Sequence, residues 1–287
     1  MPTATVRGVS LNYEILGTSG PWVALSPGGR RPLAGVKTLA ERFAAAGYRV
    51  LIHDRRNCGA SDVSIDDQGD GQASEYEIWA DDLYALLQQH DALPAIVGGG
   101  SSGCRLSLLL ALRYPKAVRA LLLWRVTGGR FACERLAENY SGQYIKAAKT
   151  GGPEGGMAAV CAMEHWAERI RDRPANRERL MTMDVGRFIA VMEHWRSYFL
   201  AGADLPVIGC TEAQLKSIAI PTLIIPGNDR THGHAVGNAA HRLIAKSELV
   251  DLFPGDADVD IVEMEDWQKR EGDMAKILLD FLKRKAT

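Results

Sequence analysis

The sequence has little cysteine, and its cysteines lack the spacing of metal or redox motifs. Only five occur, an odd number, scattered and without a C-x-x-C pair: Cys58, Cys104, Cys133, Cys161 and Cys210. This pattern argues against a disulfide framework and against a zinc knuckle. We therefore expect a protein of a reducing cytoplasm, without a bound metal.

Long apolar runs and an excess of one charge are also lacking. No run of roughly 18 or more apolar residues occurs, and no charged-then-apolar leader opens the chain. The 34 basic residues nearly balance the 35 acidic ones, which argues against an electrostatic surface for nucleic acid or membranes. We expect a small molecule as the partner, with a homodimer left open.

The stretch Gly99–Gly103 reads Gly-Gly-Ser-Ser-Gly and fits G-x-S-x-G. It follows a short apolar run, 93–97, and precedes an apolar helical stretch, 105–114, that Pro115 stops. This order of strand, turn and helix is typical of a nucleophile elbow, whose glycines let the strand and helix pass closely. A phosphate-binding loop is the alternative, but no lysine follows and G-x-G-x-x-G spacing is missing. Ser101 is the candidate nucleophile, and no cofactor is expected.

The remaining pattern alternates short apolar runs with helical stretches. This favours an α/β fold with a mostly parallel sheet covered on both faces. Strands are predicted at 3–7, 9–15, 21–25, 48–53, 93–97, 118–125, 219–225 and 248–253, the first two as an antiparallel hairpin, and helices at 33–46, 76–90, 105–114, 235–245 and 266–283. Residues 127–205 interrupt this alternation of strands and helices with a stretch that is helical in pattern. We therefore predict an α/β core made of residues 1–126 and 206–287 and a helical cap made of residues 127–205.

Three further motifs accompany the elbow, and together they resemble the α/β-hydrolase superfamily over nearly the whole chain. They are Ser26-Pro-Gly-Gly-Arg30 at the place of the oxyanion loop, Asp54-Arg-Arg-Asn-Cys-Gly-Ala-Ser-Asp62, and Ile220-Pro-Thr-Leu-Ile-Ile-Pro-Gly-Asn-Asp229. The resemblance implies Ser101 as nucleophile, Asp229 as the triad acid, and the backbone N–H groups of Gly29 and Ser102 as the oxyanion hole. The N–H of Ser102 would lie at the start of a helix, where backbone donors are unpaired and the helix dipole favours negative charge.

The sequence departs from that family where the base is expected. The segment that should carry the histidine reads Phe253-Pro-Gly-Asp-Ala-Asp258, so Asp258 stands in its place, and no histidine follows His241. A serine without a base is a poor nucleophile. Candidate replacements are His232 or His234 shortly after Asp229, and Asp258 with a raised pKa. A fourth candidate is a cap histidine in the repeated Met-Glu-His-Trp at 163–166 and 192–195. Met and Trp residues at helical spacing more often serve packing than catalysis.

Arginines cluster near the predicted rim of the site. Arg30 and Arg125 are candidates to bind a substrate carboxylate, whereas Arg55 and Arg56 would pair with local acids. The Met and aromatic content of the cap indicates an otherwise apolar pocket.

These observations favour an enzyme that cleaves an ester, lactone or activated C–C bond of a small, partly apolar substrate through Ser101 and a non-standard base. Two alternatives stay open because the usual histidine is missing. One is a degenerate hydrolase that only binds a small molecule, and the other is a cofactor-free lyase. The preserved elbow argues for turnover.

Overall fold

A computed structural model describes residues 2–150 and 155–285 of the chain. Their sheet has eight strands in the order β1-β2-β4-β3-β5-β6-β7-β8. The strands are β1 (Thr3–Val6), β2 (Val9–Leu16), β3 (Trp22–Ser26), β4 (Arg49–His53), β5 (Ala95–Gly100), β6 (Val118–Trp124), β7 (Thr222–Ile225) and β8 (Ser247–Leu249). β1 and β2 form the predicted antiparallel hairpin, β2 joins β4 antiparallel, and all later neighbours are parallel. The predicted α/β class is confirmed.

Helices cover both faces of this sheet. The α-helices of the described residues are α1 (Lys37–Ala45), α2 (Glu75–Gln89), α3 (Ser102–Arg113), α4 (Arg130–Ala137), α5 (Gln143–Ala148), α6 (Met157–Ala162), α7 (Glu164–Asp172), α8 (Asn176–Met181), α9 (Val185–Ala201), α10 (Glu212–Ser217), α11 (His234–Leu243), α12 (Met264–Lys269) and α13 (Glu271–Lys285). Buried side chains of α2, α3 and α11 pack on one face, and those of α1, α12 and α13 on the other. In the described part of the chain no helix is long and apolar enough to span a membrane.

Local sequence signals explain where the helices next to the site begin and end. Ser74 and Glu77 form a capping box at the start of α2, in which each side chain accepts from the other residue's backbone N–H, satisfying donors that have no intrahelical acceptor. α3 ends at Arg113 because Pro115 cannot continue the hydrogen-bond pattern.

The helices from Arg130 to Ala201 lie between β6 and β7, within the predicted insertion. Apolar side chains of α5 to α9, together with Val63, Ile65 and Ile78, form a separate cluster that includes both Trp166 and Trp195 of the repeated tetrapeptide. A buried polar seam attaches this layer to the core. Asn176 donates from Nδ2 to Ser61 O at 3.0 Å and accepts from Val63 N at 2.9 Å.

Some element boundaries differ from those predicted. The closing helix is two helices, α12 and α13, with Arg270 between them. The last strand is only Ser247–Leu249, since the chain after it leaves the sheet to run beside the loop that follows β7. The predicted first helix starts with a 3₁₀ turn, Leu33–Val36, before α1.

We expect Gly103→Ala to lower the free energy of unfolding by about 1–3 kcal/mol, the usual cost of overpacking. A Cβ at Gly103 would lie 2.2 Å from Ser26 O, so β3 and α3 would have to separate. Chemical denaturation would measure the loss. Gly272→Ala is the matched control, because its added Cβ has no neighbour within 4 Å apart from the backbone of its own helix and the adjoining residues; equal stability of the two variants would contradict this account.

Candidate active site

Ser101 lies on the sharp turn between β5 and α3. Its backbone has φ 53° and ψ −109°, a conformation that a residue with a Cβ rarely adopts. The Ser101 N–H donates to Trp124 O of the neighbouring strand at 3.0 Å, which holds the turn against the sheet. The strained turn presents the hydroxyl at the carboxyl edge of the sheet, where ligands of parallel α/β sheets bind.

The glycines around Ser101 make this turn possible. A Cβ on Gly99 would lie 2.5 Å from the carbonyl carbon of Gly103. One on Gly100 would lie 2.2 Å from the Nε1 atom of Trp124. Gly99 therefore lets β5 approach α3 closely, as the motif predicts, and Gly100 leaves room for the Trp124 side chain of β6.

His232 reaches Ser101 from the loop that follows β7. Its Nε2 lies 2.9 Å from Ser101 Oγ, and its Nδ1 lies 2.8 Å from Asp229 Oδ1. Ser101, His232 and Asp229 thus form a continuous hydrogen-bonded chain. Its geometry meets the requirement for a nucleophile, a base and a group that orients the base.

A tight loop brings the side chains of Asp229 and His232 together across three positions of the chain. The Asp229 carboxylate also accepts from the backbone N–H of His232 at 2.8 Å. Gly227 allows the chain to fold back, since a Cβ there would lie 2.1 Å from His232 O. Both side chains are almost fully buried.

Two further donors hold the second oxygen of Asp229. Arg125 Nη2 donates to Oδ2 at 3.1 Å, and the Val262 N–H donates to it at 3.0 Å. Burial alone would raise the pKa of Asp229, but the hydrogen bond from His232 and the other donors lower it to about 2. The carboxylate is therefore charged at neutral pH and fixes the imidazole with Nδ1 protonated and Nε2 free to accept from Ser101.

Burial is also the largest influence on His232. It lowers the pKa of the imidazole to about 4, with the Arg125 cation acting in the same direction and the Asp229 hydrogen bond acting against it. Neutral imidazole is the form that can take a proton. At neutral pH the resting site therefore holds a charged Asp229 and an uncharged His232.

Of the two predicted oxyanion donors, Ser102 directly follows Ser101 in the chain and Gly29 lines the same cavity. Ser102 is the first residue of α3, and Gly29 has φ 54° on the loop after β3. Arg55 Nη2 donates to Gly29 O at 2.7 Å, and the Asp54 carboxylate accepts from Leu33 N at 2.6 Å. These buried side chains from the stretch after β4 thereby fix the backbone of the loop.

A cavity of about 180 Å³ opens over Ser101. Its wall combines apolar side chains with three arginines: Trp124, Leu136, Ile261, Met264, Arg31, Arg125 and Arg135. Gly29, Tyr140 and His232 line it as well. The hydroxyl, the base and the oxyanion loop thus share one solvent-connected space.

The other candidate bases lie elsewhere. Asp258 is exposed and does not line the cavity. The structure places it on a segment whose backbone bonds to the loop after β7, through Ala257 N to Asn228 O and Arg230 N to Val259 O. The chain just beyond this segment supplies the Val262 N–H to Asp229. His234 Nε2 lies 2.7 Å from Asp251 Oδ1, which directs it away from Ser101.

Neither cap histidine reaches Ser101. His194 Nε2 bonds to Gln72 O at 2.8 Å, and His165 stacks against Tyr144 at 6.1 Å between centroids. Neither lines the cavity over Ser101.

Arg30 also differs from its expected role. Its guanidinium is buried and bonds to Glu75 at 2.8 Å, so its charge is already paired beneath the helical layer. Arg125 does line the cavity, but its Nη2 bonds to Asp229.

Sequence reasoning missed Arg135, Tyr140 and the Val262 N–H. The first two lie on and just after α4, and no motif marks them as facing Ser101. The short Asp-x-x-His spacing after a Gly was the signal for His232. In the described part of the chain, no three His, Cys, Asp or Glu side chains are grouped so that they could hold a metal ion.

The family model for the alpha/beta hydrolase fold matches residues 30–124. This range includes the elbow and Ser101 but ends before Asp229 and His232. The match therefore supports the first half of the site by sequence, and the position of the base rests on geometry.

Two curated proteins are similar to this chain over part of its length. An uncharacterized hydrolase, YraK, of Bacillus subtilis (strain 168) is 32% identical over 120 residues, which cover 42% of each chain. The sn-1-specific diacylglycerol lipase ABHD11 of Mus musculus is 33% identical over 127 residues, 42% of this chain and 38% of that one. The chain thus spans about two fifths of the length of the curated relatives it matches.

Solved structures share the fold over almost the whole chain. The enol-lactonase from Burkholderia xenovorans LB400 has a TM-score of 0.64 at 20% identity and covers 98% of this chain and 100% of its own. A meta-cleavage product hydrolase from Pseudomonas fluorescens IP01 has a TM-score of 0.62 at 17% identity, over 98% of both chains. At these identities the likeness concerns the fold alone.

We expect His232 to titrate near pH 4, well below the ordinary histidine value of about 6.5. Burial and the Arg125 cation disfavour the charged imidazole, so its neutral form persists until the pH falls to that range. NMR titration of the histidine ring resonances, assigned with His232→Gln, would measure this pKa. Arg125→Gln should raise it, because the nearby positive charge is removed. An ordinary pKa that Arg125→Gln leaves unchanged would contradict the burial argument.

Proposed function

This chain belongs to the α/β-hydrolase fold superfamily, and from that premise we propose that it is a serine hydrolase that cleaves an ester or lactone of a small, partly apolar substrate. The observation that carries the proposal is the chain of hydrogen bonds from Ser101 Oγ through His232 to Asp229. The base comes from the loop after β7 rather than from the segment after β8. The triad is therefore complete, with its histidine in another position.

Each residue has a defined step in this mechanism. Ser101 Oγ attacks the carbonyl carbon while His232 Nε2 takes the hydroxyl proton, and Asp229 stabilises the resulting imidazolium. The N–H groups of Gly29 and Ser102 stabilise the negative charge that develops on the carbonyl oxygen. His232 then gives the proton to the leaving alkoxide, and water, activated by the same imidazole, hydrolyses the acyl-serine.

The cavity supports a small substrate with apolar parts. Its volume of about 180 Å³ and its wall of Trp124, Leu136, Ile261 and Met264 favour a compact acyl group. The complete proton path favours turnover over a protein that only binds, because a binding site has no use for a strained serine bonded to a buried imidazole. The same serine and base could also open an activated C–C bond, which a substrate screen would detect.

We expect a fluorophosphonate probe to label the purified protein at Ser101, because only an activated hydroxyl attacks this phosphorus centre. Peptide mass mapping would locate the label, and Ser101→Ala should abolish it. His232→Ala should slow labelling and hydrolysis of p-nitrophenyl acetate by at least about a thousandfold, the usual cost of losing a triad base.

Asp258→Asn and His234→Gln are the controls for the identity of the base. Both side chains lie off the cavity, and both variants should keep the rates of the unsubstituted protein within about twofold. If Asp258→Asn lost activity while His232→Ala kept it, the assignment of the base would be wrong. If neither the parent protein nor any variant were labelled, Ser101 would not be an activated nucleophile, and the protein would be either a binding protein or an enzyme that does not use this serine for attack.

A further inference from the structure

The charged side chains that line the cavity over Ser101 are all positive. Arg31, Arg125 and Arg135 line it, and none of its described lining residues is an aspartate or a glutamate. The chain as a whole carries a formal charge of −1. The positive charge is therefore a local property of this cavity and does not follow from composition.

The three arginines differ in how far their charges are already neutralised. Arg125 pairs with Asp229 at 3.1 Å. Arg135 has only a long contact of 3.7 Å with Asp260, an exposed carboxylate that bonds more closely to Arg230 at 2.8 Å. Arg31 makes no ion pair with any residue in 2–150 or 155–285. Two arginines that line the cavity thus keep most of their charge available.

These two arginines come from different layers of the molecule. Arg31 follows the oxyanion loop, and its Cγ lies 3.9 Å from the place of a Cβ on Gly29. Arg135 belongs to α4 of the helical layer. Arg31 is also close enough to Arg125 that its positive charge contributes to lowering the pKa of Arg125, after the larger influence of burial. Like charges are thus held near one another around a single space, which an anion would relieve.

We propose that Arg31 and Arg135 bind a carboxylate on the substrate, so that the enzyme selects esters or lactones that carry a negative charge. The assignment rests on the proposed serine hydrolysis and deepens it. A planar guanidinium matches a carboxylate through paired N–H donors. Arg31 stands beside the oxyanion loop and Arg135 beside the apolar wall, so the anionic group binds at the rim while the ester carbonyl lies at Ser101.

This role replaces the expected one for Arg30, whose charge Glu75 already neutralises. It leaves Arg125 as a positioning residue, since its Nη2 bonds to Asp229 rather than to the open cavity. The selectivity is therefore carried by two partly or fully exposed side chains. Because water and salt screen such charges, the selectivity should fall as ionic strength rises.

The test compares two substrates of nearly equal shape that differ in charge. Monomethyl glutarate carries a carboxylate, and its monoamide, methyl 4-carbamoylbutanoate, is neutral. Methanol release measures kcat and KM for both, and monomethyl succinate and monomethyl adipate, each paired with its own monoamide, vary the distance between ester and carboxylate. We expect at least one acid to exceed its amide by about tenfold in kcat/KM at low salt, mainly through KM, and the ratio to shrink at high salt.

Arg31→Gln and Arg135→Gln are the informative variants. Each should reduce the acid-to-amide ratio severalfold, and the double variant should bring it close to one. Arg196→Gln is the matched control, because Arg196 is an exposed arginine of α9 that does not line the cavity. If every amide were hydrolysed as well as its acid, or if the double variant kept the full ratio, the proposal would be overturned.

A binding measurement separates this proposal from the proposed hydrolysis. Ser101→Ala, titrated calorimetrically with the same acids and amides, reports recognition without turnover. Tighter binding of an acid than of its amide, lost in Ser101→Ala combined with Arg31→Gln and Arg135→Gln, supports the carboxylate site even if no ester is cleaved. Cleavage of the esters with equal binding of acid and amide would keep the hydrolase and reject the carboxylate site.

Discussion

The buried carboxylate of Asp229 is the interaction on which the site depends. It accepts four hydrogen bonds, from the backbone and ring of His232, from Arg125 and from the Val262 N–H. These donors belong to three separate segments: the loop after β7, the end of β6, and the chain beyond β8. A charge buried at this depth is tolerated only when it is so fully satisfied, so the carboxylate fixes the relative positions of all three.

The same contacts explain how His232, the proposed base, can occupy an unusual position. In the α/β-hydrolase superfamily the segment after the last strand usually brings a histidine to the serine. Here that segment runs along the loop after β7 with Asp258 exposed to solvent, and the chain just beyond it contributes the Val262 N–H to Asp229. Gly227 lets the loop fold back tightly enough for His232 to lie between Asp229 and Ser101. The loop after β7 thus carries the histidine, and the chain after β8 supports the acid. The hydrogen bonds from serine to histidine to aspartate are the same as when the histidine follows the last strand.

Electrostatics give the site two regions with different characters. Around His232, burial and Arg125 favour the uncharged imidazole, which suits a base that must be free at neutral pH. Toward the rim, Arg31 and Arg135 provide positive charge that the nearby acids do not fully neutralise. In our proposal the buried region performs the chemistry and the rim chooses the substrate. The two regions differ because they differ in exposure. A buried charge must be paired within the protein, whereas a charge at the rim is solvated and remains available to bind a ligand.

The sequence by itself determined the sheet, the elbow and the candidate serine. These follow from patterns within a few residues: alternating apolar runs, the glycines around Ser101, and Pro115 after α3. It also narrowed the base to a short set that contained His232. Only the tertiary structure decided that His232 contacts Ser101, that Asp258 lies outside, and that Arg30 is paired with Glu75 while Arg31 and Arg135 line the cavity. Those outcomes depend on which loops pack together across the molecule, and no local pattern encodes the direction of a side chain on a loop whose position is set by distant contacts.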